Sequence, residues 1–160
     1  MRISEQIFPR VVALIVSTDE NEKENVMTAS FLMPVSFNPK YVALAIAEER
    51  LTFENIKKTR EFTLNVCSEE MKEKAIICGS YSGREKDKFE LAKLEKEKSK
   101  VVKPSLIKEA PISFECRVEF MKKFGDHWLI VGRVVEEHVR KKEFSPLLHK
   151  TGNLFPSLGK

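Results

Sequence analysis

Ile112-Ser113-Phe114-Glu115-Cys116-Arg117-Val118-Glu119-Phe120-Met121 is the stretch on which the fold class turns. Ile112, Phe114, Cys116, Val118 and Phe120 alternate with Ser113, Glu115, Arg117, Glu119 and Met121. A period of two sends successive side chains to opposite faces of an extended chain, so the pattern predicts a half-buried antiparallel strand. Phe124-Gly125-Asp126 follows as a natural turn, and Trp128-Leu129-Ile130-Val131-Gly132-Arg133-Val134-Val135 reads as the hairpin partner. Gly132 within that partner marks a bulge or a close backbone approach.

Outward from this hairpin the chain offers more short strands than helices. Val11-Val12-Ala13-Leu14-Ile15-Val16 is a β-branched block closed by the turn Asp19-Glu20-Asn21-Glu22, and predicts a buried strand. Tyr41-Val42-Ala43-Leu44-Ala45-Ile46-Ala47 follows Pro39, which favours an extended start. Phe62-Thr63-Leu64-Asn65-Val66 alternates, which puts one face inward. Helices are few: Thr52 opens one over Phe53 to Lys58 as an N-cap hydroxyl, and Glu69 to Cys78 carries Met71, Ala75 and Cys78 at helical spacing with Gly79 as the stop. Arg84 to Lys103 holds eight basic and five acidic residues and reads as a solvated charged face, whether as a helix or a lid. The tail Thr151 to Lys160 is turn-rich but has the apolar anchors Leu154, Phe155 and Leu158, so docking is expected. Many strands without βαβ alternation favour a barrel or sandwich.

Composition bounds the function. The 160 residues fit a single domain over 1–160, and 42% hydrophobic residues are enough for a core. Charged residues reach 32%, yet the net charge is only +4, a Lys- and Glu-rich habit resembling that of heat-adapted proteins. No apolar stretch approaches the roughly 20 residues of a membrane span, and Met1-Arg2-Ile3-Ser4-Glu5 lacks the apolar run of a signal peptide, so the cytoplasm is expected. Cys67, Cys78 and Cys116 are odd in number with no Cys-x-x-Cys spacing, which suggests buried hydrophobes rather than disulfides or a metal site.

The sequence has no Gly-x-Gly-x-x-Gly, no Walker-type Gly-Lys-Ser/Thr, no His-Glu-x-x-His, and no Gly-x-Ser-x-Gly elbow to accompany His127, His138 and His149. Glu85, Asp87, Glu90, Glu95 and Glu97 interrupt the basic stretch and would repel nucleic acid. What remains is a series of hydroxyls, Thr28, Ser30 and Ser36, followed by Arg50 and Thr52. Hydroxyls, an arginine fork and the free N–H groups of a helix start suit a phosphate monoester. The same Ser and Thr serve equally well as turn and cap residues.

Asn25-Val26-Met27-Thr28-Ala29-Ser30-Phe31, Pro34-Val35-Ser36-Phe37-Asn38-Pro39, Arg50-Leu51-Thr52, Glu61-Phe62-Thr63-Leu64-Asn65-Val66, Asp87-Lys88-Phe89, Glu115-Cys116, Gly125-Asp126-His127 and Val131-Gly132-Arg133-Val134 occur in this order. Taken together they resemble the flavin reductase-like FMN-binding split-barrel family over nearly the whole chain.

The resemblance implies a mainly β fold, a six-stranded antiparallel Greek-key split barrel with a few short helices, normally a homodimer with FMN in a groove at or near the interface. It implies that Met27, Thr28, Ala29 and Ser30 lie along the isoalloxazine, offering backbone groups to its pyrimidine side. Ser36, Arg50 and Thr52 would hold the phosphate, with Asn38, Pro39 and Lys40 shaping the turn beside it. His127 would sit on the nicotinamide side. Where the family often has two prolines, this chain has Pro39-Lys40, leaving Lys40 beside the phosphate or in solvent. Lys88 and Phe89 fall in a matching turn without an assigned role. The implied activity is transfer of electrons from NAD(P)H through FMN to free flavin, ferric chelate or a partner protein. The alternatives are an electron relay that takes no hydride from nicotinamide, and a domain that has lost its cofactor and mediates interactions. FMN would supply the redox chemistry, so the missing catalytic triad is no obstacle.

Overall fold

A computed structural model describes residues 1–159; Lys160, the end of the expected docking tail, lies outside the described residues. Seven strands form one antiparallel sheet: β1 (Ala13–Thr18), β2 (Glu24–Ala29), β3 (Leu32–Phe37), β4 (Lys40–Ala47), β5 (Glu61–Val66), β6 (Ile112–Phe124) and β7 (His127–Val139). Their order across the sheet is β2-β1-β5-β6-β7-β4-β3. The edge strands β2 and β3 are consecutive in the chain and separated only by Ser30 and Phe31. That short link makes the sheet curl until its edges meet at one corner, which is the split barrel, with seven strands where six were expected.

Burial on both faces explains the apolar run of β1. Ala13 and Ile15 pack with Met27, Leu44, Phe62, Cys116 and Ile130 in one core. Leu14 and Val16 pack with Cys67, Ala75, Cys78 and Phe89 in a second core. This second core lies under helix α2 (Lys72–Ser80). Each such large side chain, once buried, contributes about 1.5–3 kcal/mol. Helix α1 (Leu51–Thr59) adds Phe53 and Ile56 to the first core. All three cysteines are free and buried.

Several expectations change here. Thr52 is not the N-cap of α1: Arg50 holds that position. Thr52 lies inside the first turn, buried, its hydroxyl accepting a 2.9 Å hydrogen bond from Asn25 Nδ2. Gly79 does not stop α2, which continues to Ser80 where it packs over Thr28 of β2. The polar residues Thr63 and Asn65 of β5 and Ser113 and Glu115 of β6 do not face water, whereas Arg117 and Glu119 farther along β6 do. Thr63 Oγ1 donates to Ser105 O at 2.7 Å; Asn65 Oδ1 accepts from Ile107 N at 3.0 Å and from Ser113 Oγ at 2.7 Å. The strap that covers them, Lys100 to Ile107, begins in the charge-rich stretch and runs past its end, and that stretch contributes Phe89, Ala92, Leu94 and Val102 to the buried residues. A solvated face therefore describes only its outward side chains. Alternation reveals which residues share a face, not what lies over that face.

Other features match. Gly125 has φ +62° in the hairpin turn, and Gly132 lies at a register shift between β6 and β7. A Cβ on Gly132 would stand 2.7 Å from Phe62 Cζ, so only glycine lets β7 approach. The tail docks only in part: Phe155 packs on the second core, while Leu154 and Leu158 are exposed, and the strand pairing of Leu148–His149 with Arg10–Val11 lies just before it. Among the described residues no helix is long and apolar enough to cross a membrane.

Glu115 is the principal polar anchor of the strap. It is fully buried and accepts from the backbone N–H groups of Lys100, Val101 and Val102, with His138 Nε2 at 2.6 Å. Burial alone would raise its pKa, but these donors hold it below the ordinary 4.5. A carboxylate depressed in the folded state adds stability that is in place above its unfolded pKa and is lost as pH falls through the folded one. Glu115→Gln is expected to lower unfolding free energy by about 2–4 kcal/mol at neutral pH. It should also flatten the acid limb of stability against pH; a wild-type acid limb in chemical denaturation would count against the assignment if the variant reproduced it.

Candidate functional site

The corner where the sheet edges meet opens into a cavity of about 420 Å³, within the range of small-ligand sites. Its walls include Met27, Thr28, Ala29, Ser30 and Phe31 from the corner, Ala45 to Ala47 from β4, and His127 from β7. Because β2 is an edge strand, alternate N–H and C=O groups point away from the sheet toward whatever lies beside it. The Thr28 hydroxyl hydrogen is already committed, donated to Ala75 O at 2.5 Å, so the backbone N–H is the donor that Thr28 has left for a ligand. The His127 ring stacks on Phe31 at 5.4 Å, and its Nδ1 lies 2.8 Å from Asp126 Oδ1. Arg10 also lies over Phe31, its guanidinium 5.2 Å from the ring centroid.

A second cavity of about 240 Å³ adjoins the first, sharing Met27, Glu49 and Arg50. Thr52, Lys88 and the Gly79 to Arg84 segment complete its wall. The N-terminus of α1 opens on it with no side-chain cap, leaving first-turn N–H groups free. Asn25 is held against Gly83, where a Cβ would fall 1.9 Å from its Oδ1, and its amide orients Thr52. The Thr52 hydroxyl, accepting from Asn25, keeps its own hydrogen to donate.

Lys88 is the electrostatic anomaly of this cavity. Only 5% exposed, its ammonium lies 3.3 Å from the carbonyl of Cys78 and has no carboxylate in a salt bridge with it among the described residues. Burial above all, opposed by Cys78 and aided by nearby Arg50, pulls its pKa down to about 8. Two cations and an open helix N-terminus around one cavity suit an anion such as a phosphate monoester.

Of the residues expected from sequence, Met27, Thr28, Ala29, Ser30, Arg50, Thr52 and His127 come together around these cavities. Ser36, Asn38 and Pro39 line neither. Ser36 pairs with Tyr41 at the far end of β4. Some four to six residues separate Tyr41 from the cavity wall, about 13–20 Å along a strand. Lys40 pairs with Glu137 at 2.5 Å, half exposed. Sequence reasoning left Lys88 without a role and missed Asn25, Arg10 and His149. A lysine in a charge-rich run, or a histidine in a tail, carries no local signal of burial. No cluster suited to a metal ion occurs among the described residues.

The family model described as "Flavin reductase like domain" matches residues 4–157. A protein of Archaeoglobus fulgidus is 38% identical over 131 residues, covering 82% of this chain and 73% of that protein. The NADH-dependent FMN reductase AsuE2 of Streptomyces nodosus subsp. asukaensis is 28% identical over 149 residues, 91% of this chain and 77% of that one. Among solved structures, flavoredoxin from Methanosarcina acetivorans superimposes with a TM-score of 0.86 at 25% identity, covering 100% of this chain and 91% of that one.

Lys88 yields a test independent of any ligand. A lysine whose folded pKa is depressed opposes folding while charged, and that opposition fades as pH rises past its folded value. Wild-type stability should therefore gain a rising component between about pH 8 and the ordinary 10.5. Lys88→Met should be more stable than wild type at neutral pH and lack that component. Thermal melts across this range check it, and a destabilised variant would contradict an unpaired buried charge.

Proposed function

This chain belongs to the flavin reductase-like family, and from that premise we propose that it binds FMN and acts as an NAD(P)H-dependent reductase of free flavin, ferric chelate or a partner protein. The observation that carries the reading is Lys88, a buried cation without a carboxylate, beside Arg50 and an uncapped helix start. A dianionic phosphate satisfies all three at once, and the adjoining larger cavity has room for a ring system. When bound, FMN supplies the hydride and electron chemistry, so the protein needs no nucleophile of its own.

In this reading Arg50, Thr52 and Lys88 hold the phosphate. The backbone of Met27, Thr28, Ala29 and Ser30 faces the flavin ring, offering preorganised N–H donors that suit the negative charge gathered there on reduction. His127, anchored by Asp126 and Phe31, stands at the rim where a nicotinamide donor would approach. The β3 edge exposes Met33, Val35 and Phe37, the last 99% exposed, which supports a homodimer. Ser36, Asn38 and Pro39 enter the site only through such a dimer, with the hairpin of one copy reaching the cavity of the other.

Protein loaded with FMN and freed of excess is expected to be yellow and to bleach with NADH or NADPH under anaerobic conditions. Persistent colour would mark an electron relay, and a colourless protein would overturn the reading. Arg50→Ala and Lys88→Met should each weaken FMN binding about tenfold or more, a loss of about 1.4 kcal/mol, while riboflavin binding changes little. Equal losses for both ligands would remove those residues from the phosphate. Light scattering should give twice the mass of 18.4 kDa, and Phe37→Glu should shift it toward the monomer.

A further inference from the structure

The C-terminal tail brings to the cavity wall a histidine that the FMN reading leaves without a task. His149 pairs with Arg10 across the short terminal ladder, and its ring lies 4.9 Å from that of Phe155. One ring nitrogen, Nε2, is 2.8 Å from the carbonyl oxygen of Gly152; the other, Nδ1, is 2.8 Å from Ser30 Oγ. A carbonyl oxygen only accepts, so Nε2 carries a hydrogen. In the neutral ring Nδ1 is then an acceptor, and Ser30 gives it the single hydroxyl hydrogen it has. What Ser30 Oγ keeps for the cavity is lone pairs.

Protonation reverses this arrangement. With hydrogens on both nitrogens, Nδ1 donates to Ser30 Oγ and the Ser30 hydrogen turns free to donate into the cavity. We infer that His149 is a positioning residue that sets the hydrogen-bond polarity of Ser30: when neutral it leaves both lone pairs of Ser30 to accept an N–H on the flavin's pyrimidine edge, and when protonated it takes one of them and turns the hydroxyl hydrogen toward that N–H, which weakens the contact. The inference rests on the FMN reading and adds a residue and a pH dependence to it.

The surroundings favour the neutral form. Arg10 faces His149 from the paired strand, its guanidinium fixed on the carbonyls of Ser4, Ile7 and Lys150. Lys72 stands over Phe155, on the ring's other neighbour. Across the cavity lie Arg2, Arg50 and His127, with Glu49 and Asp126 as the acidic members. Burial, with Arg10 adding to it, lowers the His149 pKa from 6.5, while the bond to Gly152 partly offsets this. At neutral pH Ser30 is therefore an acceptor.

Riboflavin is the probe, because it has the same ring as FMN and no phosphate to titrate. Fluorescence titrations of the full chain between about pH 8 and pH 5 should show constant affinity at the upper end. Affinity should then fall by up to about tenfold per pH unit once His149 takes its proton. His149→Phe and Ser30→Ala should bind more weakly at the upper end, with that fall abolished. The His149 imidazole resonances give a second readout that a merely structural role would not move: saturating riboflavin should lower the pKa of this histidine. Identical pH slopes in wild type and both variants, or a His149 pKa unmoved by riboflavin, would overturn the inference and leave the flavin reading standing. Failure of riboflavin and FMN to bind at any pH would overturn both.

Discussion

Two residues, Ser30 and Phe31, connect the opposite edges of a seven-stranded sheet. Such a link spans about 10 Å at full stretch, so the sheet has no flat alternative. It must bend until the end of β2 meets the start of β3 at that corner, and this encloses the core around Ile15, Leu44, Phe62 and Ile130. The corner also collects the wall of the larger cavity, because everything β2 presents just before the link is delivered beside Ala45 to Ala47 of β4. Closure of the barrel and construction of the site are one geometric event.

The outer layer obeys a different rule. Asn65, Ser113 and Glu115 are buried polar groups, and each is satisfied by the strap or by its neighbours. Arg140 extends the network by donating to Ala110 O, Ser113 Oγ and Glu97. A buried polar cluster is tolerable only when complete, so the strap is held by direction-specific bonds as well as by the buried Val102, Leu106 and Ile107. Against that background Lys88 stands out. Where the carboxylate of Glu115 is given four donors, this ammonium has one carbonyl at 3.3 Å and no carboxylate in a salt bridge with it among the described residues.

Legibility in the sequence followed periodicity. The strands β1, β4, β5, β6 and β7 appear in the sequence as apolar blocks or alternations. The edge strands β2 and β3 do not, since Glu24-Asn25-Val26-Met27-Thr28-Ala29 mixes polar and apolar residues without a period. Thr28 there turns to meet α2, while in β3 Pro34 precedes a register shift. Of the two, β2 lines both cavities, and there local pattern yields to the demands of the site. The resemblance to a family pointed to Met27 to Ser30, Arg50 and Thr52, which line the cavities, because they sit in short ordered motifs. It missed His149 because its bond to Ser30 spans 119 positions, a separation that no local spacing encodes.

The chain has one tryptophan. Trp128 follows His127 directly, tilts on Phe53 at 5.1 Å and donates its indole N–H to Glu48 at 3.0 Å. It is thus a fixed chromophore one residue from the cavity rim, packed against the barrel core. Its emission overlaps the near-ultraviolet absorption of a flavin, so resonance transfer gives the molecule a built-in optical gauge. Occupancy of the cavity and melting of the barrel then register as two different changes in the light from a single side chain, with no label attached.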